Sequence, residues 1–470
     1  LPSKWLSKGY LMFSRTKFLA IFGAAFMLPL LISVANPEAL SGTSVFAAEK
    51  EQPKYKDVKT RKRQSVGGTC AKALEKVQVV LEEENWPESL NMLNGIEAST
   101  KTCASDYEQT QIWKFKGYIY YSLDDLPRAI RNYRKVIDGV GTPLELALDT
   151  RYTVAQLYTV EEQYGKAAIE LEIWMDAANI IGGDARVLLA QIYYQLDRKA
   201  EALSMLELAI ADAESKAILP KENWWGLQRV LYYEKNDFKR VTRILEKLVK
   251  HYPKWTYWNQ LGGMYGELER DMDRLVATEV VYLNGELNKE RQIMSMAYMY
   301  LGAEVPYRAA RIIEKGMQDK DADGKTLIKR NAKNLEILGT AWYQSKDLKR
   351  ALKSLESASK FSDTGNLQAR LAGIYLDLGR DKEAYRASLR AAQKGGVKRP
   401  DSNYLVMGNS LINLHCYKDA ISAFQKALKR AKDKKTKRYP QQWIRYADTE
   451  GNRLQKLRDV GAKVPGCNKA

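Results

Sequence analysis

The sequence predicts an all-α solenoid of about ten stacked helix hairpins with a C-terminal capping helix. Small and aromatic residues recur at fixed helical spacings along most of the chain. Tyrosine is heavily favoured, with 28 Tyr against 9 Phe. Histidine is almost missing, at two residues in 470, which narrows the chemistry such a scaffold could perform. At 45% hydrophobic and 28% charged residues, the chain is neither a disordered tail nor a multispan membrane protein.

Taken in order, the first element is a targeting segment. Lys4, Lys8, Arg15 and Lys17 precede an apolar run from Phe18 to Val34, followed by the small-residue site Val45-Phe46-Ala47. This is the pattern of a cleavable secretory signal, cut after Ala47, with Met12 as the more conventional start. The apolar run contains Pro29 and is short for a membrane span of about 20 residues. An inner-membrane anchor through 18–34 is therefore the second reading. The expected division is a signal peptide at 1–47, a basic flexible linker at 48–69, the repeat array at 70–434, and a basic linker, capping helix and tail at 435–470.

Export changes the meaning of the net charge of +18. For an exported chain nucleic acid is not the expected partner of a basic surface; lipid headgroups and cell-wall polymers are the anions expected there. The basic runs Lys54 to Arg63 and Lys429 to Arg438 are expected as solvated linkers, with contact to such surfaces as the alternative.

The repeat is clearest from Thr110 to Pro143. Trp113, Gly117 and Tyr120 share one helix face, and Ala129, Tyr133 and Val136 repeat that spacing on a second helix. Asp124-Asp125-Leu126-Pro127 forms the turn, with Pro in a tolerated first-turn position. Gly117 and Ala129 let the two helices approach closely. Leu335/Gly339/Trp342 with Ala351/Leu355/Ala358, and Tyr404/Gly408/Leu411 with Ala420/Phe424/Ala427, repeat the arrangement. Ala190/Tyr193 and Ala297/Tyr300 open further copies, with weaker ones at Tyr158, Tyr232, Tyr265 and Tyr375 and a degenerate first one from Cys70. The period is roughly 33 to 42 residues.

These residues resemble the tetratricopeptide repeat, which implies a right-handed superhelical solenoid. The copy near Arg274 departs most, because Arg stands where the pattern has Ala. The recurring tyrosines, Tyr120, Tyr158, Tyr193, Tyr232, Tyr265, Tyr300 and Tyr375, are expected in the core with their hydroxyls reaching polar partners. The resemblance places the first helices along a concave groove. Residues one place after the small and Tyr positions then face it: Lys114, Tyr118, Tyr121, Tyr152, Gln156, Gln191, Tyr194 and Tyr233. Tyrosines and amides with few acids suit an extended peptide or a partner helix.

Four cysteines in an exported chain permit disulfides. Cys70 with Cys103 would cross-link the first hairpin, and Cys416 with Cys467 would tie the tail to the last one; free thiols are the alternative. No catalytic constellation, cofactor motif or metal site is expected. His251 and His415 fall in different repeats, without a zinc-ligand cluster nearby. Asp319-Lys320-Asp321-Ala322-Asp323-Gly324 opens like a calcium loop, but Arg330 stands where the bidentate Glu is needed. A turn-forming acidic loop is the expectation. An enzyme would have only a fold-level analogy to protein prenyltransferase α-subunits behind it.

Thr60-Arg61-Lys62-Arg63-Gln64-Ser65-Val66-Gly67 and Gln442-Trp443-Ile444-Arg445-Tyr446-Ala447 resemble stretches in a narrower family. Its members are exported tetratricopeptide proteins that accompany TonB–ExbB–ExbD systems in Gram-negative bacteria. That resemblance implies a periplasmic adaptor with protein or peptide partners, assisting nutrient uptake across the outer membrane. The alternative is a structural envelope protein contacting peptidoglycan or the outer membrane.

Overall fold

The computed structural model describes residues 54–56, 64–99 and 101–469. The expected signal, the alternative anchor at 18–34 and most of the N-terminal linker lie outside them. The described residues form 21 helices and two isolated antiparallel bridges, Tyr55 to Ala178 and Lys320 to Thr326. None of these helices is long and apolar enough to cross a membrane.

The chain divides into two compact units, Leu1–Lys235 and Asn236–Ala470. The first contains α1 (Gly68–Glu82), α2 (Trp86–Ala98), α3 (Asp106–Ser122), α4 (Leu126–Asp138), α5 (Leu144–Val160), α6 (Tyr164–Ala177), α7 (Gly183–Gln195), α8 (Lys199–Ser215) and α9 (Glu222–Glu234). The second contains α10 (Phe238–His251), α11 (Trp255–Glu267), α12 (Asp271–Leu283), α13 (Glu290–Gly302), α14 (Pro306–Gly316), α15 (Ala332–Gln344) and α16 (Leu348–Ser359). It continues through α17 (Asn366–Asp377), α18 (Asp381–Lys394), α19 (Pro400–Asn413), α20 (Tyr417–Arg430) and α21 (Lys434–Asp459). The fold is an all-α array of tetratricopeptide-type hairpins.

Turn geometry repeats as regularly as side-chain pattern. Each odd-to-even helix turn from α1 to α20 contains one residue in the left-handed region: Glu84, Asp124, Glu162, Asp197, Asn236, Glu269, Glu304, Lys346, Gly379 and His415. Gly379 alone adopts that conformation without steric cost. Beyond the turn, Asn85, Asp125, Asp237 and Asp347 cap the second helix by accepting from the backbone N–H three residues on.

The small residues of the first helices are required by close approach. A Cβ at Gly117 would lie 2.7 Å from the Tyr133 ring, and one at Gly408 would lie 2.4 Å from Phe424. The copy near Arg274 solves the problem differently. Arg274 is exposed and runs along Gly266, while the fully buried Ala277, one turn later, faces Gly262.

An aromatic ring, an arginine and an acid recur together at these hairpins. Arg128 and Arg350, three residues after their capping Asp, lie over Tyr120 and Trp342. In other copies the order is reversed: Arg198, Arg270 and Arg380 occupy the cap position and pair with Glu201, Asp273 and Glu383 three residues later. Their guanidiniums sit 4.0, 4.4 and 4.8 Å from the centres of Tyr193, Tyr265 and Tyr375. Those tyrosines donate to Glu172, Glu246 and Glu356 on the preceding second helix, and Tyr232 donates to Glu207 in the same way. The hydroxyls therefore bridge consecutive hairpins.

Both ends are tied. Cys70 is bonded to Cys103, and Cys416 to Cys467, as the placement of the cysteines suggested. The tail is also held by Asn468 N–H donating to Leu414 O at 3.0 Å and by a Lys469–Asp419 ion pair. One expectation needs correction: Lys434 to Arg438 is not a linker but the opening of α21. Asp433 caps that helix by accepting from Thr436 N–H at 2.8 Å, so the basic run is helical from its first residue. Trp443 of α21 stacks on Phe424, 6.0 Å between ring centres, and covers the last hairpin.

The acidic loop after α14 is a closed turn. Asp321 accepts from the Asp323 and Lys325 N–H groups at 3.0 and 2.8 Å, and the fully buried Ile328 packs on Gly316. His251 ends α10, and His415 lies in the α19–α20 turn with Nδ1 3.4 Å from the Tyr417 hydroxyl.

Candidate functional site

All eight residues expected in the groove are half-buried, and all lie on first helices of the N-terminal unit. Lys114, Tyr118 and Tyr121 are on α3, Tyr152 and Gln156 on α5, Gln191 and Tyr194 on α7, and Tyr233 on α9. Their environments differ. Tyr118 meets Trp86 of α2 edge-on, with ring centres 6.2 Å apart. Burial raises the Tyr121 phenol pKa, and the Tyr118 and Asp124 fields add to that shift. Tyr194 donates to Glu234 at 2.9 Å, and Lys199 pairs with the same carboxylate at 3.1 Å. Burial and that hydrogen bond raise the Tyr194 pKa.

Lys114 and Tyr152 belong to a tighter constellation near the open end of the α5/α6 hairpin. Burial lowers the Lys114 ammonium pKa, opposed by the Asp149 carboxylate of α5. Tyr152 packs against Trp174 of α6 with ring centres 4.7 Å apart. Between Asp149 and Trp174 sits Tyr55, at 1% exposure. Its hydroxyl donates to Asp149 and accepts from Trp174 Nε1 at 3.0 Å, while its ring packs among Leu148, Ala178 and Ile181. Burial first, and then the Asp149 bond, push its phenol pKa far up.

The flanking backbone is held as a strand would be. Lys56 N–H donates to Ala177 O at 2.8 Å, and Asn179 N–H donates to Lys54 O at 3.2 Å, around the Tyr55–Ala178 bridge. Lys54 reaches Asp149 at 2.6 Å, and Lys56 Nζ reaches Asp176 O at 2.8 Å. Within the stretch expected to be a basic linker, residues 54–56 are thus an extended segment docked on the array. Burying an aromatic side chain contributes about 1.5–3 kcal/mol. The exposed Lys54–Asp149 pair adds up to about 1 kcal/mol.

Residue spacing alone did not identify Tyr55, Asp149, Trp174 or Glu234. The available signal for Tyr55 was an aromatic residue standing alone between lysines in a polar stretch. Asp149 lies outside the repeat signature, and Trp174, which stands in its own copy where Val136 stands in the clearest one, reads there only as a packing residue. Two charged clusters nearby brace the hairpins. The buried Glu170 of α6 takes Arg134 of α4 and Arg151 of α5, and the buried Lys116 pairs with Glu97, which also accepts from Trp113 at 2.9 Å.

No protein-family model and no curated protein matches the chain. Among solved structures it is similar to MamA, at 18% identity and a TM-score of 0.31 over 37% of this chain and 91% of that one. It is also similar to a tetratricopeptide repeat protein from Parabacteroides merdae, at 14% identity and a TM-score of 0.33 over 63% and 94%. A third is YrrB, described as a TPR protein with an unusual peptide-binding site, at 16% identity and a TM-score of 0.30 over 37% and 84%.

Proposed function

We propose that this chain is a non-enzymatic, protein-binding scaffold whose N-terminal unit captures an extended segment of a partner. The observation behind this reading is the docked Lys54–Lys56 segment, which the α5/α6 hairpin takes through backbone pairing and one buried aromatic ring. This is the mode in which a peptide adds to a preformed edge, with main-chain bonds for affinity and a pocket for specificity. The half-buried tyrosines along α3, α5 and α7 extend the same chemistry: rigid, amphipathic contact area at low entropic cost.

The setting we propose is the periplasm, in an adaptor assisting a TonB–ExbB–ExbD system. The signal pattern before Ala48 and the two short flanking resemblances support it. Of the first, residues 60–63 lie outside the described part. Changing Tyr121 and Tyr194 together to Ala should reduce partner capture at least tenfold in periplasmic cross-linking, with helical circular dichroism unchanged. Unchanged capture would refute the groove. Recovery of TonB, ExbB or ExbD peptides supports the adaptor.

Recovery of cell-wall material instead supports the structural envelope role. The observation favouring that reading is on α21, where Lys434 to Arg438 precede the exposed Tyr439 and Tyr446.

A further inference from the structure

We infer that the Asp149–Trp174 seat is a specific receptor for an extended partner segment bearing a tyrosine between two cationic side chains, and that Lys54–Lys56 occupies it as an exchangeable internal mimic. The inference rests on the peptide-capture reading above and names the partner's chemistry.

Three features define what fits. The cleft between Leu148, Ala178 and Ile181 encloses a ring, leaving Tyr55 at 1% exposure. At its far end one acceptor, Asp149, and one donor, Trp174 Nε1, meet the hydroxyl, so phenylalanine would leave both without that partner. On either side the backbone pairs with residues 177 and 179, which requires an extended chain in antiparallel register. Asp149 and the carbonyl of Asp176 then receive the cations before and after the tyrosine. The specificity is therefore for a cation–Tyr–cation segment.

Exchange follows from how little of the segment is buried. Lys54 and Asp149 are about half exposed, with side chains 57% and 42% accessible, so their pair is worth little in water. Among the described residues the seated segment is held by one ring and a few hydrogen bonds, and its covalent attachment favours it with an effective concentration on the order of millimolar. Lys114 and Tyr152, both beside the seat, offer further contacts to a longer partner segment.

The test uses the full chain, as wild type and as Tyr55→Ala, with a fluorescent peptide copying residues 51–59. Peptide anisotropy should show at least tenfold tighter binding to Tyr55→Ala than to wild type. Asp149→Asn in the Tyr55→Ala background should lose about tenfold, as should a peptide with its tyrosine changed to phenylalanine. No binding to a Tyr55→Ala chain of unchanged circular dichroism would overturn the inference, and so would equal binding to both chains. A wild-type dimer exchanging this segment between copies, seen by sedimentation, would also overturn it, because the occupant would then be a second copy. If the peptide fails while Tyr121→Ala/Tyr194→Ala still abolishes partner capture, the groove reading stands and only the seat falls.

Discussion

A tyrosine held between an arginine on its face and a glutamate at its hydroxyl is the residue-scale unit of this protein. At Tyr193, Tyr265 and Tyr375, burial and then the glutamate bond push the phenol up to about 12, against the pull of the arginine. The linkage has a definite sign. A folded-state pKa raised above the unfolded value near 10 stabilises the protein below pH 10 and loses that contribution as pH rises towards 12. Denaturant midpoints should therefore fall across that window, and phenolate absorption should show these three tyrosines titrating late, with the more deeply buried Tyr55 and Tyr133 later still. Tyr265→Phe removes the hydroxyl and leaves Glu246 without that donor. It should cost about 1 kcal/mol in urea unfolding and blunt the alkaline fall. The turns offer the opposite lever. Lys346 has φ 63°, a conformation that costs a side-chain-bearing residue about 1–2 kcal/mol. Glycine's greater unfolded-state freedom offsets part of that, so Lys346→Gly should raise stability by up to about 1 kcal/mol.

At the scale of elements, the hairpins are joined by a few charged residues brought inside. Glu170 belongs to α6 yet takes Arg134 of α4 and Arg151 of α5, so one carboxylate spans two hairpins. It is buried, and its removal would take from Arg151 this carboxylate and leave Arg134 with Asp138. Glu170→Gln keeps the shape but loses the charge. It should cost roughly 2–3 kcal/mol, measured by denaturant midpoint, with faster hydrogen exchange in α4 and α6. The helix pattern was legible in the sequence because each hairpin repeats the same small and aromatic positions. This brace was not, because 36 residues separate Arg134 from Glu170 and neither belongs to the signature.

For the whole chain, a repeat array transmits stability only between neighbours, so its ends are where a cross-link matters most. The Cys70–Cys103 bond joins residues 33 apart and the Cys416–Cys467 bond joins residues 51 apart. Changing Cys70 and Cys103 together to Ser should cost about 3–4 kcal/mol in the chain-entropy account. Hydrogen exchange should rise in α1 to α3 and stay unchanged in α19 to α21. A uniform rise over the whole chain would contradict the local view of its cohesion.

By itself the sequence determined the hairpin repeat and the positions of its small residues, and it favoured the observed cysteine pairing over free thiols. These follow from spacings of a few residues and from the position of the cysteines at the ends of a linear array. It also placed the eight candidate binding residues on the first helices of their hairpins, where they are half-buried. Only the tertiary structure decided that residues 54–56 dock on the α5/α6 hairpin. Tyr55 meets Asp149 across 94 residues of chain, through backbone pairing and a ring-sized cleft that no periodic pattern encodes. It also decided that Lys434 to Arg438 is helix, because the Asp433 cap starts α21 before the charged run and Trp443 then docks that helix on Phe424.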